Sequence, residues 1–179
     1  MSALDLTNEL DESHITQISQ TIGADPAQTR KAIEAASPLL VASVAQTAQQ
    51  PQGQQTVQQA MDSHAGLLGN LGQILGAGGN VDFGGILDQV LGRNKPDVEN
   101  GVQETSGLNG DQTKKLLAIL APIVVAMLAK RRHQAGAKPL DTHLREEAQQ
   151  SHEQAQRRSP QVGGILGKIL SYAESPKQR

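Results

Sequence analysis

The sequence contains no cysteine and no tryptophan, and it has a single phenylalanine and a single tyrosine. Without cysteine, the chain can form neither disulfide bonds nor thiolate metal sites, and it offers no thiol nucleophile. Without large rings, its core has to be built from small aliphatic side chains, which bury less apolar area per residue. Such a core stabilises a fold well only when helices approach closely or subunits associate.

Neither sign of charge dominates, since the sequence has 16 lysines and arginines and 18 aspartates and glutamates, which gives a net charge of −2. The chain therefore lacks the excess of cations that proteins use to bind polyanions. Its first twelve residues are acidic and lack the basic, then apolar, pattern of a secretory signal. We expect a cytoplasmic protein.

One segment of the chain occurs twice. The stretch 21–45 is repeated 84 residues further on, with identical pairs at Thr21/Thr105, Gly23/Gly107, Gln28/Gln112, Thr29/Thr113, Lys31/Lys115, Pro38/Pro122, Val41/Val125, Ala42/Ala126 and Ala45/Ala129. Shorter matches follow at wider spacing, 71–75 with 166–170 among them. Self-similarity of this kind indicates a duplicated structural unit.

Apolar residues recur with helical spacing along most of the chain, and no segment alternates with the period of a strand. We predict an all-α protein in which two tandem copies of a multi-helix unit pack as one pseudo-symmetric bundle. The predicted divisions are an acidic N-terminal segment (1–12), a first repeat (13–92), a linker (93–100), a second repeat (101–173) and a C-terminal tail (174–179).

Each copy contains a long helix with a proline inside it. Asp25 followed by Pro26 is typical of a helix start, and Asn109 supplies the same capping chemistry in the second copy. Pro38 and Pro122 then fall at equivalent places within the two helices. A proline there removes one backbone hydrogen bond, so that each helix is either kinked or broken.

A glycine-punctuated apolar seam lies in the first copy. Its residues follow steps of four and three, the period of a surface that packs on another helix. Because the glycines permit a close approach of backbones, we predict self-association through Val57, Met61, Leu68, Gly69, Leu71, Gly72 and Leu75.

A DNA-binding regulator is the alternative interpretation. The segments 18–33 and 102–117 each resemble a helix-turn-helix unit, and two such units could read paired half-sites. The candidate contacts are Arg30, Lys31, Lys114 and Lys115. Phosphate contacts normally require more cations than these, so this alternative ranks second.

The sequence predicts no catalytic residue, no cofactor and no metal site. His143 and His152 are nine residues apart, which is not the spacing of two ligands on one helix face, and we interpret the histidines as solvated or at the edge of the core. The apolar run 116–129 is too short to cross a bilayer, so we predict no transmembrane span, with peripheral membrane contact left open. No small-molecule substrate is predicted.

The pattern Gln20 to Gln28, its second copy, the paired prolines and the Gly/Leu-rich segments 67–76, 84–92 and 163–170 resemble a known bacterial family. This is the family catalogued as domain of unknown function nine-three-seven, and the resemblance extends from about Ile15 to Leu170. It implies a bacterial, duplicated helical protein and supplies no catalytic residues. We predict a non-catalytic helical interaction or scaffold protein that self-associates.

Overall fold

The computed structural model describes residues 6–76, 84–136 and 138–174, and within these ranges the chain is helical, with no β-strand. The α-helices are α1 (Leu6–Glu9), α2 (Glu12–Ile22), α3 (Pro26–Ala48), α4 (Pro51–His64), α5 (Leu71–Gly76), α6 (Gly84–Leu91), α7 (Lys95–Ser106), α8 (Gly110–Gln134), α9 (Leu140–Arg158) and α10 (Pro160–Glu174). Short 3-10 turns cover Leu67–Asn70 and Gly92–Asn94. The predicted all-α class is confirmed for these residues.

The turn between α2 and α3 is built by local capping. Gly23 ends α2 in the left-handed conformation with φ at 70°, which glycine adopts without steric cost. The Asp25 carboxylate then accepts a hydrogen bond from the backbone N–H of Ala27 at 2.8 Å, and Pro26 occupies the first turn of α3. The predicted start of the long helix is confirmed.

The turn between α7 and α8 uses the same devices. Gly107 is left-handed with φ at 75°, and Asn109 caps α8 by accepting from the backbone N–H of Gln112 at 2.9 Å. The Gln112 side chain accepts in return from the backbone N–H of Asn109 at 3.1 Å, which completes a capping box.

Both long helices continue through their prolines. Pro38 lies inside α3 and Pro122 inside α8, and neither helix is divided there. Of the two outcomes that the sequence allows, the broken helix is therefore excluded. The helices are tolerant of the missing N–H because tertiary packing, rather than intrinsic propensity, supplies most of their stability.

The core forms around α3 and α8, whose apolar residues are almost completely buried. α3 packs more extensively on α9 than on α4, and α8 packs more extensively on α4 than on α9. The packing is therefore crosswise: each long helix lies mainly against the helix that follows the other one. α10 packs on α3 and α9, while α6 packs on part of α8.

The structure defines two segments whose conformation the sequence left open. The predicted linker 93–100 is helical, because Gly92–Asn94 forms a 3-10 turn and α7 begins at Lys95 with Pro96 in its first turn. The seam 57–75 is not one continuous helix, since α4 ends at His64 and a 3-10 turn precedes α5. The N-terminal segment contributes Leu6 and Leu10 to the core. The predicted tail lies outside the described residues from position 175.

Among the described residues, one helix is long and apolar enough to cross a membrane by length and composition, and that helix is α8. Its most apolar window is 78% buried within the protein. A core helix of a globular protein passes the same test, and the burial of α8 favours that interpretation.

Candidate functional site

The predicted self-association residues divide into two groups. Val57, Met61, Leu71 and Leu75 are between 1% and 6% exposed, because they face the core of their own subunit. Leu68 is half-buried, and Gly69 and Gly72 are exposed. The structure therefore brings only three of the seven residues to the surface.

Around those three residues lies what we call the glycine–leucine surface, made of Gly66, Leu67, Leu68, Gly69 and Gly72. Leu67 and Leu68 are half-buried and pack on the edge of the core. A Cβ atom added at Gly66 or at Gly69 would meet nothing within 4 Å, and neither glycine has a positive φ. Neither glycine is therefore explained by backbone strain or by close packing inside the subunit.

The predicted nucleic-acid contacts lie near the starts of the two long helices. Arg30 is half-buried and forms an ion pair with Glu12, whereas Lys31, Lys114 and Lys115 are exposed. The two turns are adjacent in space, since the Gln112 Nε2 atom donates to the carbonyl of Gly23 at 2.6 Å. Below their first turns, α3 and α8 pack on each other and are buried.

This geometry does not suit a pair of half-sites. The recognition helices of helix-turn-helix dimers lie about 34 Å apart, one turn of DNA. α3 and α8 are in direct contact, so they cannot enter successive major grooves as separate recognition helices.

A polar cluster that the sequence analysis missed joins α8 and α9. Arg131 donates from Nη1 to the Glu147 Oε2 atom at 2.8 Å, and Glu147 is 6% exposed. His143 lies one helical turn before Glu147 and is 3% exposed. The sequence contains no local signal for this ion pair, because its partners are far apart in the chain and on different helices.

His143 is buried beside this ion pair. Burial lowers the pKa of His143 below its ordinary value of 6.5, and this effect outweighs the Glu147 carboxylate, which raises it. The interpretation of this histidine as solvated is therefore wrong, and His143 lies at the edge of the core, in the wall of a surface cleft. Burial also lowers the pKa of His64, on α4.

The cluster has a structural explanation. A buried carboxylate is stabilised when a guanidinium pairs with it, and Arg131 is placed to do so. No group of three histidines, aspartates or glutamates within the described ranges is arranged to hold a metal ion.

Comparison with known proteins gives one match. A family model described as a bacterial protein of unknown function, DUF937, matches residues 5–131, which is more than half of the chain. The matched range runs from α1 into the last turn of α8, so it begins before the resemblance recognised in the sequence and ends before α9 and α10. No curated protein and no solved structure matches the chain.

Proposed function

We propose that the chain, which belongs to the bacterial DUF937 family of proteins of unknown function, is a non-catalytic helical interaction protein that self-associates in the cytoplasm. One observation carries the proposal: Gly66 and Gly69 are exposed beside two half-buried leucines, with nothing inside the subunit that requires glycine. A second copy of the chain is the partner that we assign to this surface.

The energetic argument concerns the two glycines. Gly66 precedes the 3-10 turn and Gly69 lies within it. Glycine loses more backbone freedom on folding than alanine does, at a cost of about 0.5–1 kcal/mol in a regular element, so a glycine without a local reason destabilises the isolated subunit. A neighbouring backbone that packs directly on the glycine–leucine surface would offset that cost and cover Leu67 and Leu68. Scaffold behaviour follows if the surface assembles more than two copies.

The tandem arrangement is also part of the proposal. We infer two copies related by a pseudo-two-fold axis that passes between the α2–α3 and α7–α8 turns. Gln112 donates to Gly23, and the equivalent Gln28 lies close to Gly107, where an added Cβ would be 3.6 Å from its Nε2 atom. This reciprocal placement and the crosswise helix packing support the inference.

Molar mass measured across protein concentration tests the proposed self-association. We expect the wild-type mass to rise between low and high micromolar protein, and Gly69→Glu to shift that rise to higher concentration. Gly164→Glu is the matched control, because Gly164 is exposed on α10 with open space around it. A wild-type chain that stays monomeric at high micromolar concentration contradicts the proposal.

DNA binding stays the alternative function, and its case rests on the exposed cations Lys31, Lys114 and Lys115. Gel retardation at low salt tests it. Retardation that is lost when Arg30 and Lys31 are both changed to glutamate would favour DNA binding. Absence of retardation by the wild-type protein would contradict it.

A further inference from the structure

A cleft of about 280 Å³ opens between α3, α7, α9 and α10, on elements other than those of the glycine–leucine surface. Its wall includes small apolar side chains (Ala35, Pro38, Ala155 and Val162) and hydroxyl groups (Ser37, Thr105, Ser151 and Ser159). Its volume is slightly below the range of about 300–1,000 Å³ that is typical of drug-sized ligands, so it suits a smaller molecule. The cleft is thus large enough for a small organic molecule.

Ser151 presents a polar group that the protein itself does not use. The hydroxyls of Ser37 and Thr105 are satisfied, since they donate to the carbonyls of Ile33 at 2.7 Å and Gly101 at 2.8 Å. Ser151 is 2% exposed, and its Oγ atom has no hydrogen-bond partner among the described residues. Buried polar groups are nearly always paired with protein or water, so the unpaired Ser151 hydroxyl is a group in the cleft wall to which a ligand oxygen can bond.

Pro38 adds an acceptor to the same wall. Because proline has no N–H, the carbonyl of Glu34 lacks the donor that the fourth following residue supplies in a regular helix. Both Pro38 and Glu34 line the cleft. A ligand hydroxyl or amide can take the place of the missing donor.

An exposed cation lies at the mouth of the cleft. Lys31 lines the cleft and is exposed, and the Glu34 and Arg158 side chains belong to the same lining. A lysine ammonium beside apolar walls of low dielectric favours a negatively charged ligand group.

The equivalent region of the second long helix has a different surface. Where α3 carries Glu34, Ala35 and Ser37, α8 carries Ala118, Ile119 and Ala121 at the same spacing from its proline. Ile119 is 6% exposed and belongs to the core. The polar, small-residue lining is therefore a property of the α3 side and not of long helices in this fold generally.

We propose that this cleft binds a small amphipathic carboxylate. The ligand also carries an oxygen outside its carboxylate group, which we call the second oxygen. The carboxylate lies at the mouth near Lys31, the apolar body lies against Ala155 and Val162, and the second oxygen bonds to Ser151 Oγ. The binding needs no covalent step and does not depend on self-association.

Titration with three matched probes, followed by backbone amide chemical shifts, tests the proposal. The probes are 6-hydroxyhexanoate, hexanoate, which lacks the second oxygen, and 1,6-hexanediol, which lacks the charge. We expect shifts centred on Ser151, Ala155 and Val162, with 6-hydroxyhexanoate binding about five-fold more tightly than hexanoate, the value of one hydrogen bond. The diol is expected to bind more weakly than both carboxylates.

Three variants separate the contacts. Ser151→Ala should remove the preference for 6-hydroxyhexanoate over hexanoate while leaving the fold intact, because its Oγ atom has no partner to lose. Lys31→Gln should weaken both carboxylates and leave the diol unchanged. Ala35→Ile, which copies Ile119, should fill the cleft and abolish the binding of all three probes.

The outcomes that overturn the proposal are equally definite. Absence of shifts at the cleft residues with 6-hydroxyhexanoate at tens of millimolar overturns the site. Equal affinity for the diol and the carboxylates overturns the assignment of an anion. Unchanged probe preference in Ser151→Ala overturns the role of the hydroxyl.

Discussion

The two long helices, α3 and α8, begin alike and end differently. Each follows a left-handed glycine and a capping side chain, at Gly23 with Asp25 and at Gly107 with Asn109. α3 is joined to α4 by two residues, whereas α8 is followed by a connection that includes a left-handed Gly136 before α9 begins at Leu140. The comparison teaches that the entry to each helix is encoded locally, while the connections that leave the two helices are different.

The helices that follow also differ in what they bury. α9 runs for 19 residues and lays a thin line of small and apolar side chains against α3, with Leu144, Ala148 and Ser151 in it. α4 is shorter, and the chain beyond it breaks into a 3-10 turn and α5. The glycine–leucine surface therefore belongs to the segment after α4, whereas α9 contributes to the wall of a cleft on α3.

The largest effects should come from equivalent core positions in the two long helices. Ile33 in α3 and Leu117 in α8 occupy the same place in the repeat, and both are 0% exposed. Changing either to alanine should lower the free energy of unfolding by about 2–5 kcal/mol, measured by urea denaturation. Lys114→Ala, on the exposed side of α8, is the control. A large loss at one position with a negligible loss at the other would contradict the equivalence of the helices.

The next effect concerns the tight corner between α3 and α4. A Cβ atom at Gly53 would lie 2.0 Å from the backbone oxygen of Thr47, so the backbone would have to move. We expect Gly53→Ala to destabilise the protein by about 2 kcal/mol, despite the better helix propensity of alanine. Gly164→Ala, in open space on α10, should instead stabilise by about 0.5–1 kcal/mol. Equal signs for the two variants in urea denaturation would count against the corner geometry.

A smaller difference should separate the two equivalent glutamines. Gln112 completes the capping box of α8 and donates to Gly23 O, whereas the exposed Gln28 side chain forms no hydrogen bond with the described residues. Gln112→Ala should therefore cost about 1 kcal/mol of unfolding free energy, and Gln28→Ala less than about 0.5 kcal/mol. If the two variants cost the same, the local symmetry of the turns is closer than the hydrogen bonds indicate.

The smallest expected effect is a dependence of the free energy of unfolding on pH, which arises from His143 on α9. Because the folded protein holds His143 with a lowered pKa, the unfolded chain takes up its proton first as the pH falls. The stability that depends on neutral His143 is therefore fully present above about pH 6.5. It declines below that value until His143 of the folded protein is also protonated. His143→Gln should make this decline shallower, as judged from urea midpoints at pH 7.5 and 5.5.

The control for this pH dependence is His133→Gln, because His133 is exposed at the end of α8. His64 has its pKa lowered by burial as well, so part of the decline should remain in the His143 variant. An identical decline in wild type and His143→Gln would show that His143 does not contribute.

Much of the fold could be predicted from local signals. The capping residues Asp25 and Asn109 and the glycines before them are sufficient to place the starts of both long helices, because helix ends are satisfied by neighbouring atoms of the same chain. The start of α7 at Lys95 escaped prediction, since the polar and proline-containing segment 93–100 also fits a loop. The seam at 57–75 was predicted from its helical spacing, and the structure divides it among α4, a 3-10 turn and α5.

The candidate sites were less predictable. Helical spacing placed Val57 and Met61 on one apolar face of a helix. Periodicity cannot distinguish a face that packs on another subunit from one that packs on α8 of the same chain. The unpartnered Ser151 hydroxyl and the Arg131–Glu147 pair depend on which helices lie side by side.

The sequence alone determined the helical class, the start of each long helix and the repeated turn, because these depend on hydrogen bonds and backbone conformations within a few residues. Only the tertiary structure decided that α3 packs mainly on α9 and α8 mainly on α4. Such choices rest on how side chains distant in sequence fill shared volume. The same packing decided which of Leu68, Leu71 and Leu75 reach solvent, and it left an open cleft beside Pro38.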